Sequence, residues 1–85
     1  MVDKIVELEN NKSYVLLDET ILNNMKYYFA LRLNEKEEPT DHYLFFEEYK
    51  ENDNISLVPV MDDEFRKILL TSFTVNFLDK VYDEV

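Results

Sequence analysis

The sequence predicts an α+β domain: an antiparallel meander sheet of about five strands, with one C-terminal helix packed on one face. Three observations carry this expectation. Residues 5–60 hold short apolar runs separated by turns rich in Asn and acids. Residues 62–83 instead repeat their apolar side chains at helical spacing. The chain has 85 residues, too few for two separate cores, so 1–85 reads as a single domain. Neighbouring runs joined by short turns pair with each other, which makes the order a meander.

The first strand is expected at Ile5-Val6-Glu7-Leu8, followed by a turn at Glu9 to Lys12. The second begins at Tyr14-Val15-Leu16-Leu17 and extends toward Leu22. Asn23-Asn24 then reads as a tight hairpin turn. The chain has no glycine, and Asn is the remaining residue best able to take positive φ. Lys26 to Leu33 is the strongest strand, with Tyr27, Phe29, Leu31 and Leu33 on one face and Tyr28, Ala30 and Arg32 on the other. A polar loop from Asn34 to Asp41 contains Pro39. His42 to Tyr49 is the fourth strand, Glu51 to Asn54 a turn, and Ile55 to Val58 the fifth strand, which Pro59 ends.

Asp62 or Asp63 caps the helix, and Glu64 in its first turn suits the helix dipole. The helix carries two apolar stripes. Phe65, Leu69, Phe73, Phe77 and Val81 follow at i+4, while Ile68, Thr71, Val75, Leu78 and Tyr82 follow a heptad spacing. A helix lying on a sheet needs only one stripe. The second faces a loop, another subunit or a different protein, unless a kink near the β-branched Thr71 buries both. The sheet poses the same question. One helix covers one face, so Tyr28 and Ala30, with either Tyr43 and Phe45 or Leu44 and Phe46, are left on a second face. Such a patch marks a contact surface.

Composition narrows the function classes. Nineteen Asp and Glu against nine Lys and Arg give a formal charge of −10. Phosphate contacts need Lys and Arg, so neither nucleic acid nor an anionic membrane is expected as a direct ligand. The N-terminus Met1-Val2-Asp3-Lys4-Ile5 lacks a signal-peptide pattern, and no apolar run spans a bilayer. A cytoplasmic protein of a bacterium or phage is expected. The absence of Cys removes thiol nucleophiles and thiolate metal sites, and the absence of Gly removes glycine-dependent phosphate loops. His42 is the only histidine, and no nucleophile-elbow sequence surrounds Ser13, Ser56 or Ser72. The acids of Asp53 and Asp62-Asp63-Glu64 lack the glycine of an EF-hand loop. No enzyme activity, cofactor or specific metal is expected.

Leu57-Val58-Pro59-Val60-Met61-Asp62-Asp63-Glu64-Phe65 is a strand ending in Val-Pro followed by an acidic helix start. With Tyr27-Tyr28-Phe29-Ala30-Leu31 and Tyr43-Leu44-Phe45-Phe46-Glu47-Glu48, this stretch resembles the YrzB-like family of short acidic bacterial proteins over about residues 5 to 82. That family is a domain of unknown function, and the resemblance implies neither an activity nor catalytic residues.

Two functions are expected from the residues. The first is a non-catalytic protein-interaction module. It binds a protein, one with a basic surface or a second copy, through the apolar residues Tyr28, Tyr43, Phe45, Ile68, Val75, Leu78 and Tyr82. The alternative is a nucleic-acid mimic: a phage-type anti-restriction or anti-CRISPR inhibitor of a basic DNA- or RNA-binding protein or nuclease. Its carboxylates would be Glu35, Glu37, Glu38, Asp41, Glu47, Glu48, Glu51 and Asp53.

Overall fold

The computed structural model describes residues 3–8 and 10–83, with side chains in the helix as far as Val75. Five strands, β1 (Ile5–Glu7), β2 (Ser13–Leu22), β3 (Met25–Leu33), β4 (Pro39–Glu51) and β5 (Asn54–Pro59), precede one helix, α1 (Asp63–Asp83). The strands form one sheet in the order β1-β2-β3-β4-β5, each antiparallel to its neighbours. This is the expected α+β meander.

Asparagine does the work of the missing glycine in three of the turns. Asn23 and Asn24 sit at φ 53° and 65°, and Leu22 pairs directly with Met25, as a two-residue type I′ hairpin requires. The amide of Asn11, at φ 63°, donates to the Leu8 carbonyl. Asn52 at φ 54° opens the two-residue loop between Glu51 and Asn54. In the β3–β4 loop it is Glu37 that takes φ 60°, and the Asn34 side chain orders the loop by accepting from the amides of Lys36 and Glu38, each at 2.9 Å. Alanine at position 24 carries the full left-handed penalty, so Asn24→Ala should cost about 1–2 kcal/mol while Asn24→Gly costs nothing. Urea unfolding of the two variants checks this; equal stability would show that the turn is not held in that conformation.

β4 is longer than the sequence suggests. It begins at Pro39, not His42, because proline is tolerated as the first residue of a strand. Thr40, Asp41 and His42 form a bulge opposite Arg32, tied by the Thr40 hydroxyl donating to the Arg32 carbonyl at 2.8 Å. A second bulge, at Leu17 in β2, changes what each face holds. Before it, Tyr14 and Leu16 point to the face shared with Tyr28 and Ala30. After it the parity flips, and Leu22 joins the face of Met25 and Tyr27.

The sheet therefore has a core on each side. On one, Tyr14, Leu16, Tyr28, Ala30 and Phe46 pack with Val6 and Leu8 from the β1 edge and Leu57 from the β5 edge. The two edges of the meander converge on this face, so the sheet curls over its own side chains. On the other, Tyr27 and Phe45 pack under Leu69 and Phe73 of α1, with Phe29 and Phe65 at the margin. The Phe45 and Phe73 rings stack 5.6 Å apart at 14°.

α1 starts as expected. The Asp62 carboxylate accepts from the Phe65 amide at 3.0 Å, and the Asp62 carbonyl accepts from the Arg66 amide at 2.9 Å. No break occurs at Thr71. Its hydroxyl donates to the Lys67 carbonyl, as that of Thr74 does to Leu70, so the β-branched residues are held within a continuous helix.

Candidate interaction surfaces

The helix settles which apolar residues are spent on the core. Phe65, Leu69 and Phe73 lie on the sheet, whereas Ile68 is 51% and Val75 50% exposed. Ile68 and Val75 are seven residues apart, hence close to one line along the helix. Ile68 stands one step from Leu69 and Val75 two from Phe73, at about 100° per step off the buried stripe. The second stripe is thus open along its described part. Leu78 and Tyr82, expected to continue it, lie outside the residues whose side chains are described.

The second sheet face is not an exposed patch. Tyr28 is 1% exposed and Phe45 0%, so neither is available to a partner. The expectation failed for two separate reasons. Tyr28 shares its face with Leu44 and Phe46, and the curl of β1 and β5 closes that face. Phe45 lies on the opposite face, under α1. Tyr43 is the intermediate case, at 40% exposure on the helix side of the sheet. Its ring contacts Phe29 and Phe45, and the Arg66 guanidinium sits 5.8 Å from its centroid. The Arg66 Nε is buried there without a hydrogen-bond partner.

The acids do not form one field. Glu35, Glu37, Glu38 and Asp41 are exposed at the β3–β4 end of the sheet, and Glu51 and Asp53 at the β4–β5 end. Asp41 and Glu51 both belong to β4 (Pro39–Glu51) and stand about 33 Å apart at about 3.3 Å per residue. Glu47 and Glu48, in between, are half-buried and engaged. Glu48 accepts from the Tyr28 hydroxyl at 2.8 Å, and Glu47 from the Tyr49 hydroxyl at 3.1 Å. Burial first, then the hydrogen bond to Glu48, pushes the Tyr28 phenol well above its ordinary value. Tyr27 is raised in the same direction, mainly by burial and then by Glu47 and Tyr49. For Tyr49 the hydrogen bond to Glu47 is the main cause.

A polar groove of about 700 Å³ lies at the β3–β4 end, where Lys12, Ser13, Arg32 and His42 meet Glu35 and Glu37. The two Lys/Arg charges and the two carboxylates cancel. His42 is open to solvent with Asp41 3.9 Å from its Nε2, and among the described residues no hydrogen bond joins it to Ser13. Among the described residues no group of three or more His, Cys, Asp or Glu is placed to hold a metal. No described helix is long and apolar enough to cross a membrane.

No family model matches the chain, and comparison with curated proteins and with solved structures returns no match. The reading of the surfaces therefore rests on their own chemistry.

Proposed function

We propose that the chain is a small, non-catalytic protein-interaction module of the cytoplasm that docks a basic protein through the outer face of α1. The observation that carries this reading is the division of the helix: Phe65, Leu69 and Phe73 serve the core while Ile68 and Val75 stay half in water. Exposed apolar residues in a line along a helix suit a partner that brings an apolar stripe of its own. Charge selects among partners. Two copies meeting at this face bring together two chains of −10 each, whereas a basic surface is drawn in by the same field. The mimic reading draws less support, because its acids are split between two ends of the sheet and the central pair is tied to tyrosines. Membership of the YrzB-like family stays a proposal on the resemblance alone and assigns no activity.

The test compares three baits in one lysate at low and high salt: the native chain, Ile68→Glu with Val75→Glu, and a chain with Glu35, Glu37 and Glu38 changed to Gln. The expected result is a basic protein, identified by mass spectrometry, that the native and Gln baits retain and the helix variant loses. A partner lost by the Gln bait and kept by the helix variant would transfer the reading to charge mimicry.

A further inference from the structure

A second surface is built differently. β5 is an edge strand, paired to β4 alone among the described residues. It reads Asn54-Ile55-Ser56-Leu57-Val58-Pro59, and it is the only one of the five strands with no charged residue. Its register against β4 runs without a bulge from Phe46–Pro59 to Glu51–Asn54, and Asn54, Ile55, Ser56 and Val58 are exposed. Natural sheets protect such edges with charges, bulges or covering loops, since an open flat edge invites another strand. In a chain that is 33% charged, this edge carries no charge, and its protection is confined to Pro59 at its end.

We infer that β5 accepts an extended segment of another protein as a sixth strand, one that alternates apolar and basic residues. The neighbouring strands define both sets of side chains. On the inner face, Ile55 and Leu57 border a cleft of about 530 Å³ that Ile5, Val6 and Leu8 line from the β1 side, with Lys4 and Glu7 beside them. An added strand lays its apolar residues over this cleft between the two open edges. On the outer face, Val58, Ser56 and Asn54 stand beside Glu47, Tyr49 and Glu51 of β4. The added strand lies two strand spacings from β4, about 10 Å, and the intervening side chains at 54 and 56 are small. A long Lys or Arg side chain crosses Asn54 toward Glu51, while Glu47 stands behind Val58 and already accepts from the Tyr49 hydroxyl. A second copy is the poorer occupant. Pairing β5 with its own twin sets two acidic β4 strands about 14 Å apart, like charge toward like.

This surface is distinct from the outer face of α1, and the two are separable by substitution. The probes are two synthetic peptides of alternating residues, isoleucine with lysine and isoleucine with glutamate, titrated into isotope-labelled chain and followed by backbone amide shifts. The Ile-Lys peptide is expected to shift Asn54–Val58 amides and to bind about tenfold more tightly than the Ile-Glu peptide at low salt, a margin that shrinks at high salt. Ser56→Lys, a surface change on the edge, should weaken it about tenfold, while Ile68→Lys on the helix leaves it unchanged. No binding, equal binding of both peptides, insensitivity to Ser56→Lys, or a dimer of the chain that Ser56→Lys dissolves would each overturn the inference. Failure of the helix reading leaves these outcomes untouched.

Discussion

Phe45→Ala should remove about 3–5 kcal/mol of stability, the loss expected for truncating a fully buried aromatic. Phe45 has no exposed surface and touches three further rings: Phe73 at 5.6 Å, Phe29 at 5.7 Å and Tyr43 at 5.5 Å. Its ring stacks on Phe73 of α1 at 14°, beside the tilted sheet-to-helix contacts Phe29–Phe73 and Tyr27–Phe65. A domain of this length has a total of about 4–13 kcal/mol to lose, so this one truncation takes a large share of it. Urea unfolding followed by far-ultraviolet circular dichroism measures the change. Ile68→Ala is the matched control, because Ile68 is half exposed and should cost under about 1 kcal/mol. Comparable losses at the two positions would mean that α1 does not pack on the sheet by the Phe65–Leu69–Phe73 stripe.

The second large effect is alkaline unfolding. The Tyr28 phenol is buried, and its hydroxyl donates to Glu48 in the folded chain. Both features favour the protonated phenol, so its folded-state value lies above the ordinary 10.0 of the unfolded chain. The folded chain then holds a proton that the unfolded chain releases. This contribution is fully present below pH about 10 and is lost as pH rises through the folded-state value. Tyr27 acts in the same direction. Stability should be level between neutral pH and about 9 and fall steeply above 10. Tyr28→Phe should cost about 1–2 kcal/mol at neutral pH, for the lost hydrogen bond to a carboxylate, and should flatten the alkaline fall. Urea midpoints at neutral and alkaline pH for both chains give the answer. A Tyr28→Phe chain with an undiminished alkaline fall would place its cause elsewhere.

The fold was legible because local chemistry and pattern agree. Asn23-Asn24 named a hairpin without a glycine, Asp62 named a helix start, and the alternation of Tyr27 to Leu33 named a central strand, each from residues close in sequence. The surfaces were legible only in part. Tyr28 read as a free face because one helix covers one side of a flat sheet. The cover it received comes from β1 and β5, whose convergence depends on the curl of the whole meander. The faces of Tyr43 and Phe45 turn on register with β3, which no single strand specifies. The bulge at Leu17 likewise leaves no mark in the alternation, since Leu16 and Leu17 are both apolar. The helix was different. Its two stripes were written in the spacing, and the structure resolves which one the core takes as far as Val75.

On the function proposed, the outer face of α1 is open in the isolated chain and suited to a basic partner rather than to its own copy. Light scattering on a size-exclusion column at low and high salt tests this most directly. A single species at the chain mass of 10.3 kDa is expected at both salts. A stable particle of twice that mass, lost on Ile68→Glu, would contradict it and assign the face to self-association.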